Sequence, residues 1–180
     1  MPMTSPITLT PQSLSPEVFA PYGWMLGKGL TTAPATTAFS NAATDFWHEH
    51  AFDTGPSGQT EVLWVNYRIQ DPSITTLENH LLTQQALIPL TGEVIHIVAQ
   101  STPEGGPDLK TLKAFRIIPG QGVCMRPGCW HSSRVAGKEV TCLMLTRLST
   151  TVDLVAHLSQ GQPARESELR PLEQSVRVIL

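Results

Sequence analysis

Residues with the types and spacing of a metal site fall in two separated segments. Glu78, His80 and Gln85 lie in LENHLLTQQALIPLTGE, and His131 lies in PGQGVCMRPGCWHSS. On a strand, residues two apart share a face, so Glu78 and His80 would aim a carboxylate and an imidazole at one ion. Gln85 follows His80 at a distance that lets a tight bend bring its amide oxygen back. Gly120 and Gly128 each open a turn, and the second feeds His131 to an inward-facing strand position as a third or fourth ligand. A carboxylate, an amide and paired imidazoles make a mixed nitrogen and oxygen sphere, which suits nickel, manganese, iron or zinc better than a thiol-seeking ion.

Such residues need a rigid frame, and the chain between positions 60 and 148 supplies short apolar or alternating runs broken by Gly and Pro. TEVLWVNYRIQ, ALIPLTG, EVIHIVAQS, AFRIIPGQG, CMRPG, SSRVAG and KEVTCLMLTRL read as strands of a barrel or sandwich. Upstream, ITLTPQ alternates like an edge strand. SLSPEVFAPYG reads as a short helix with Ser15 as N-cap, Pro16 at the first position and Gly23 past its end. GKGLTTAPATTA, about residues 27–40, reads as a flexible loop that can lie over a site. PDLKTL, capped by Asp108, adds a helical turn, and the C-terminal tail, about 160–180, ends in an alternating edge strand. The expectation is an all-β, single domain spanning 1–180, with an N-terminal strand and helix within 1–26.

Composition narrows the function classes. Only 15% of the 180 residues are charged, against about a quarter in a typical globular chain, while 15 prolines and 13 glycines favour a turn-rich β fold. The net charge of -3 comes without any lysine or arginine block, so nucleic acid is not an expected partner. No window reaches the length of a membrane span, and the start carries no basic and apolar leader, so a cytoplasmic location is expected. Cys124, Cys129 and Cys142 form no Cys-x-x-Cys pair and read as buried reduced thiols. Neither a Gly-x-Ser-x-Gly elbow nor a Gly-x-Gly-x-x-Gly turn is present. His96, flanked by isoleucines, reads as a packing residue, and His50 and His157 as solvent-facing.

The spacings resemble the two cupin motifs. The first appears as Glu78-x-His80-x4-Gln85-x6-Gly92, with Pro72 where a glycine would lead. The second appears as Gly120-x5-Arg126-Pro127-Gly128-x2-His131, with the proline displaced by one place. A closer resemblance, carried by FAPYG, NAATDFWHEH, ENHLLTQQALIPLTGEV, PDLKTLKAF, QGVCMRPGCWH and VTCLMLTR in this order, is to the cupin-type ureidoglycolate lyase family of allantoin catabolism. It implies a cupin-like β-barrel of jelly-roll type with a few short helices, a homodimer, and cleavage of ureidoglycolate to glyoxylate and urea with a divalent metal, nickel in some members. The chain departs from that family at Met125 and Arg126, where Tyr-His is usual, at Ser132, where His is common, and at Thr141 and Thr146, where aspartates are usual.

Ureidoglycolate is a carbinolamine, so its cleavage needs a proton removed from the hydroxyl and one delivered to the departing nitrogen. The expected metal set is Glu78, His80, Gln85 and His131. For proton transfer the candidates are Glu78 and His48, and for a carboxylate clamp Arg126, with Arg68 as its rival. Gln84, beside Gln85, and Trp130, as a pocket wall, complete the expected substrate contacts. Alternatives are a related cupin enzyme acting on another small 2-hydroxy or ureido acid, an ammonia-releasing ureidoglycolate hydrolase, and a small-acid-binding cupin without turnover.

Overall fold

The computed structural model describes residues 5–180; the first four residues of the expected 1–26 segment lie outside the described residues. The N-terminal part contains β1 (Ile7–Leu9), β2 (Gln12–Ser13), α1 (Pro16–Phe19) and β3 (Gly23–Leu26). Then come β4 (Ala38–Ser40), β5 (Asp45–Trp47), β6 (Thr60–Tyr67), β7 (Ser73–His80), β8 (Gln85–Pro89) and β9 (Val94–Ala99). The remainder is β10 (Lys113–Ile117), β11 (Gly122–Met125), β12 (Trp130–Arg134), β13 (Val140–Arg147), α2 (Leu148–Gln160) and β14 (Ser167–Val178). All seven runs expected as strands overlap one.

A seven-stranded sheet in the order β1-β14-β7-β12-β9-β10-β2 faces a five-stranded sheet in the order β3-β11-β8-β13-β6. Together they form the curled, cupin-like all-β arrangement anticipated from the motifs. Between them lies a core that includes Phe19, Leu87, Val98, Phe115, Val123 and Met144. A second cluster, with Leu77, Ile95, Ile97, Trp130 and Val178, covers the opposite face of the larger sheet. This is why every residue of β9 is buried: Val94 and Val98 enter one cluster, Ile95, Ile97 and Ala99 the other, and His96 points to the same side as Val94 and Val98.

Several local expectations are corrected. Ser15 Oγ does cap α1, accepting from Val18 N at 3.4 Å, but the helix ends at Phe19, and Gly23 begins β3 rather than following the helix. Gly23 is needed there because a Cβ would stand 2.0 Å from the Cys124 carbonyl oxygen across the β3–β11 pairing. The 27–40 segment is not a plain loop: it holds two 3-10 turns and β4, which pairs with β5. The tail is more than an edge strand. β14 lies between β1 and β7, although β1 reaches only Val176–Val178, so its first half has a neighbour on one side alone. Asp108 caps its 3-10 turn as expected, accepting from Lys110 N at 3.0 Å. The helix α2 had no counterpart in the expected elements. No helix among the described residues is long and apolar enough to cross a membrane.

Candidate metal centre

Strand parity selects the side chains that meet. β7 and β12 are antiparallel neighbours with His131 directly opposite Glu78, so both point to the inner face, joined there by His80 two residues on. The next four residues carry the chain across to the other sheet, where Gln85 starts β8. Gly128, with φ of 76°, makes the turn before β12, and its N–H donates to the His80 carbonyl at 2.8 Å. One backbone hydrogen bond therefore ties the two motifs together.

The ligand atoms of Glu78, His80 and His131 all lie within 4.8 Å of one another. Glu78 Oε1 is 3.3 Å from His80 Nε2, and the two imidazole rings are 5.2 Å apart between centroids. The outer nitrogens are engaged elsewhere. His131 Nδ1–H donates to the Cys129 carbonyl at 3.0 Å, and His80 Nδ1 bonds Ser167 Oγ of β14 at 2.8 Å. A carbonyl only accepts, so His131 carries a proton on Nδ1, which leaves Nε2 as its ring nitrogen available to the centre. Burial, followed by the charge His131 can carry, pushes His80 down to about 3, so it stays neutral and ligand-ready at neutral pH.

The residues fit a divalent cation. The donor set is a carboxylate and two imidazoles, and Gln85 Oε1 is buried beside it without a partner among the described residues. Gln85 turns its amide nitrogen toward His80 Nε2, at 2.9 Å. Thiolates take no part: burial pushes Cys124 and Cys129 up to about 12 and Cys142 up to about 11.

The centre opens into two adjoining recesses of about 380 and 360 Å³ that share Leu63, Val65, Gln85 and Leu154. Glu78 and His131 line the first; His80, Thr146 and Thr150 line the second. β6 is the free edge of its sheet, and α2 lies over the opening, contributing Leu154 to both walls. Among the described residues, no lysine or arginine lines either recess. A larger surface groove of about 880 Å³ beside α2 contains none of these residues.

The other expected site residues are placed elsewhere. Trp130 is wholly buried in the outer cluster, since on β12 it faces away from its neighbour His131. Gln84 likewise points opposite to Gln85, and its Oε1 accepts from Asp53 N at 3.0 Å and meets His50 Nε2 at 2.9 Å. His50 is therefore not solvent-facing but half-buried, stacked on Trp24 at 4.3 Å. Arg126 donates to the Ala20 carbonyl at 2.5 Å, lies 4.5 Å over Trp24, and lines a different recess. Arg68 is exposed and paired with Glu139, and His48 is exposed, its N–H bonded to the Thr37 carbonyl. Among the family departures, Ser132 and Thr146 reach the recesses, whereas Thr141 bonds Asn66 on the outer face of β13.

Sequence reasoning marked Thr146 only as a departure from the family and missed Ser167 and Leu154, whose places depend on how the tail and α2 fold back.

A model of the ureidoglycolate lyase family matches residues 6–163. Relatives named ureidoglycolate lyase from Escherichia coli and Shigella boydii are 41% identical over 69 residues, covering 38% of this chain and 42% of each relative. The matched stretch thus spans less than half the length of those relatives. Among solved structures, a TDP-quinovose 3,4-ketoisomerase from Campylobacter jejuni is similar with a TM-score of 0.41 at 15% identity, covering 60% of this chain and 77% of that one. A dTDP sugar isomerase from Desulfovibrio desulfuricans gives 0.42 at 11%, covering 76% and 80%.

Proposed function

The chain belongs to the ureidoglycolate lyase family, and from that premise we propose that it cleaves ureidoglycolate to glyoxylate and urea at the Glu78, His80 and His131 centre. The observation that carries this reading is the convergence of those ligand atoms, within 4.8 Å, beside a recess that Glu78 and His131 line. The cation would be held by these three residues, with Gln85 as their polar neighbour; nickel is the ion we favour, on resemblance, with manganese, iron or zinc compatible with the donor set. A bound divalent cation supplies Lewis acidity toward the hydroxyl and carboxylate oxygens of a 2-hydroxy acid.

The remaining work falls to the chain. Glu78, whose side chain is 28% exposed toward the recess, accepts the proton from the substrate hydroxyl. As the C–O bond becomes a carbonyl, the C–N bond breaks, and the same carboxyl returns the proton to the departing nitrogen, leaving glyoxylate and urea with no net proton change. Leu63, Val65 and Leu154 form an apolar wall of that recess. Because no lysine or arginine lines the recess, the substrate carboxylate is met at the cation centre, and neither Arg126 nor Arg68 is needed as a clamp.

A homodimer in the cytoplasm fits this reading. β6 presents Val62 and Trp64, 65% and 63% exposed, along a free strand edge, and α2 adds Val155 and Leu158. A second copy would cover both. The free, buried cysteines suit a reducing compartment. The test is elemental analysis and product analysis on one preparation. Metal with urea supports the proposal, metal with ammonia moves it to a hydrolase, and metal with neither leaves another substrate or a binder.

A further inference from the structure

We infer that Thr146 and Gln85 form a specificity site for a terminal amide, holding the ureido end of the ligand away from the cation. The inference rests on the reading above for the position of the ligand's acid head.

Thr146 is 2% exposed on the inward face of β13, two residues beyond Met144, and its Oγ1 is buried without a hydrogen-bond partner in the protein. Gln85 is 8% exposed, and its Oε1 is in the same state. Both residues line the 360 Å³ recess with His80. A buried polar atom left unpaired is costly, and two such atoms on side chains that line one recess call for a ligand that brings hydrogen-bonding groups to them. With no lysine or arginine around either atom, an anionic end is unsuitable, whereas a neutral amino group with two N–H donors matches two oxygen acceptors. Gln85 also lines the recess of Glu78 and His131, so an acid head at the centre places the other end of a short molecule beside Thr146. Thr146 is in this sense a specificity-determining residue and takes no part in the proton transfer.

The probes are N-carbamoylglycine and N-acetylglycine, which carry the same carboxylate and differ by NH2 against CH3 at the far end. Binding is followed calorimetrically on metal-loaded full-length protein. The wild type is expected to prefer the carbamoyl compound about ten- to hundredfold, because the acetyl methyl leaves both acceptors unpaired. T146V, nearly isosteric, is expected to lose most of that preference while its melting temperature stays level or rises, since an unpartnered hydroxyl has been removed. T146S, which keeps the hydroxyl, should retain the preference and serves if T146V folds poorly. No preference in the wild type, an undiminished preference in T146V, or an equal loss of both ligands overturns the inference. Turnover is not read, so a protein that holds metal but releases no urea defeats the lyase reading while leaving this result to stand or fall on its own.

Discussion

Replacing Ser167 by alanine removes the hydrogen-bond partner of His80 Nδ1, 87 positions away in the chain, without touching the centre itself. The hydroxyl lies 2.8 Å from that nitrogen, and Ser167 is 3% exposed, so no water replaces it readily. Partners that orient a ligating imidazole typically contribute about 10- to 100-fold in metal affinity, which corresponds to about 1.4–2.8 kcal/mol. In the metal-free protein the variant also leaves a buried N–H without an acceptor, at a cost of about 1–3 kcal/mol. Titration against a competing chelator with nickel, manganese or zinc measures the first effect, and urea unfolding of the apoprotein the second. Because stabilisation by a bound ion varies as the logarithm of its affinity, the metal-induced rise in melting temperature should shrink in step. Wild-type affinity in S167A would refute the assignment of His80 as an oriented ligand.

Two further outcomes follow from buried side chains. His96 is fully buried between Ser133 Oγ at 3.0 Å and Met125 Sδ at 3.2 Å, and burial, with a smaller contribution from His131, pushes it down from 6.5 to about 3. Below pH 6.5 the unfolded chain binds the proton that the folded one refuses, so stability is full above that pH and falls toward pH 3; from pH 7 to 5 the loss is about 2 kcal/mol. Urea unfolding of the apoprotein at both pH values should show H96Q losing less by about that amount, and equal losses would contradict it. Trp130→Phe should lower stability by about 1–3 kcal/mol in the same assay and leave metal affinity and KM unchanged, because the ring packs in the outer cluster; a raised KM would return Trp130 to the pocket wall.

The strands were legible because Gly and Pro punctuate them and because their apolar alternation is local. Glu78, His80 and His131 were legible for the same reason: spacing on a strand decides which residues share a face. The same rule explains the errors. Trp130 and Gln84 each adjoin a site residue, and one step along an extended chain reverses the side on which a side chain stands. α2 escaped notice because RLSTTVDLVAHLSQ continues the β-branched character of β13, and its N-cap, Arg147, makes no side-chain capping bond. A charged stretch followed by alternation at Val176, Val178 and Leu180 gave the tail the look of an edge strand, and its first half is one. The positions of Arg68 and Arg126 depended on which distant groups would claim their guanidinium groups, Glu139 in one case and Ala20 with Trp24 in the other, and no local pattern carries that information.

The bond from Gly128 N–H to the His80 carbonyl has a consequence for how the ion is acquired. It joins the two ligand-bearing segments through main chain, and the pairing of His131 with Glu78 does so again further along β7 and β12, neither requiring a cation. Loading is thereby uncoupled from folding, unlike in small zinc modules whose shape collapses on demetallation. With a divalent cation bound as proposed, a chelator should leave the protein folded and able to take the ion up again.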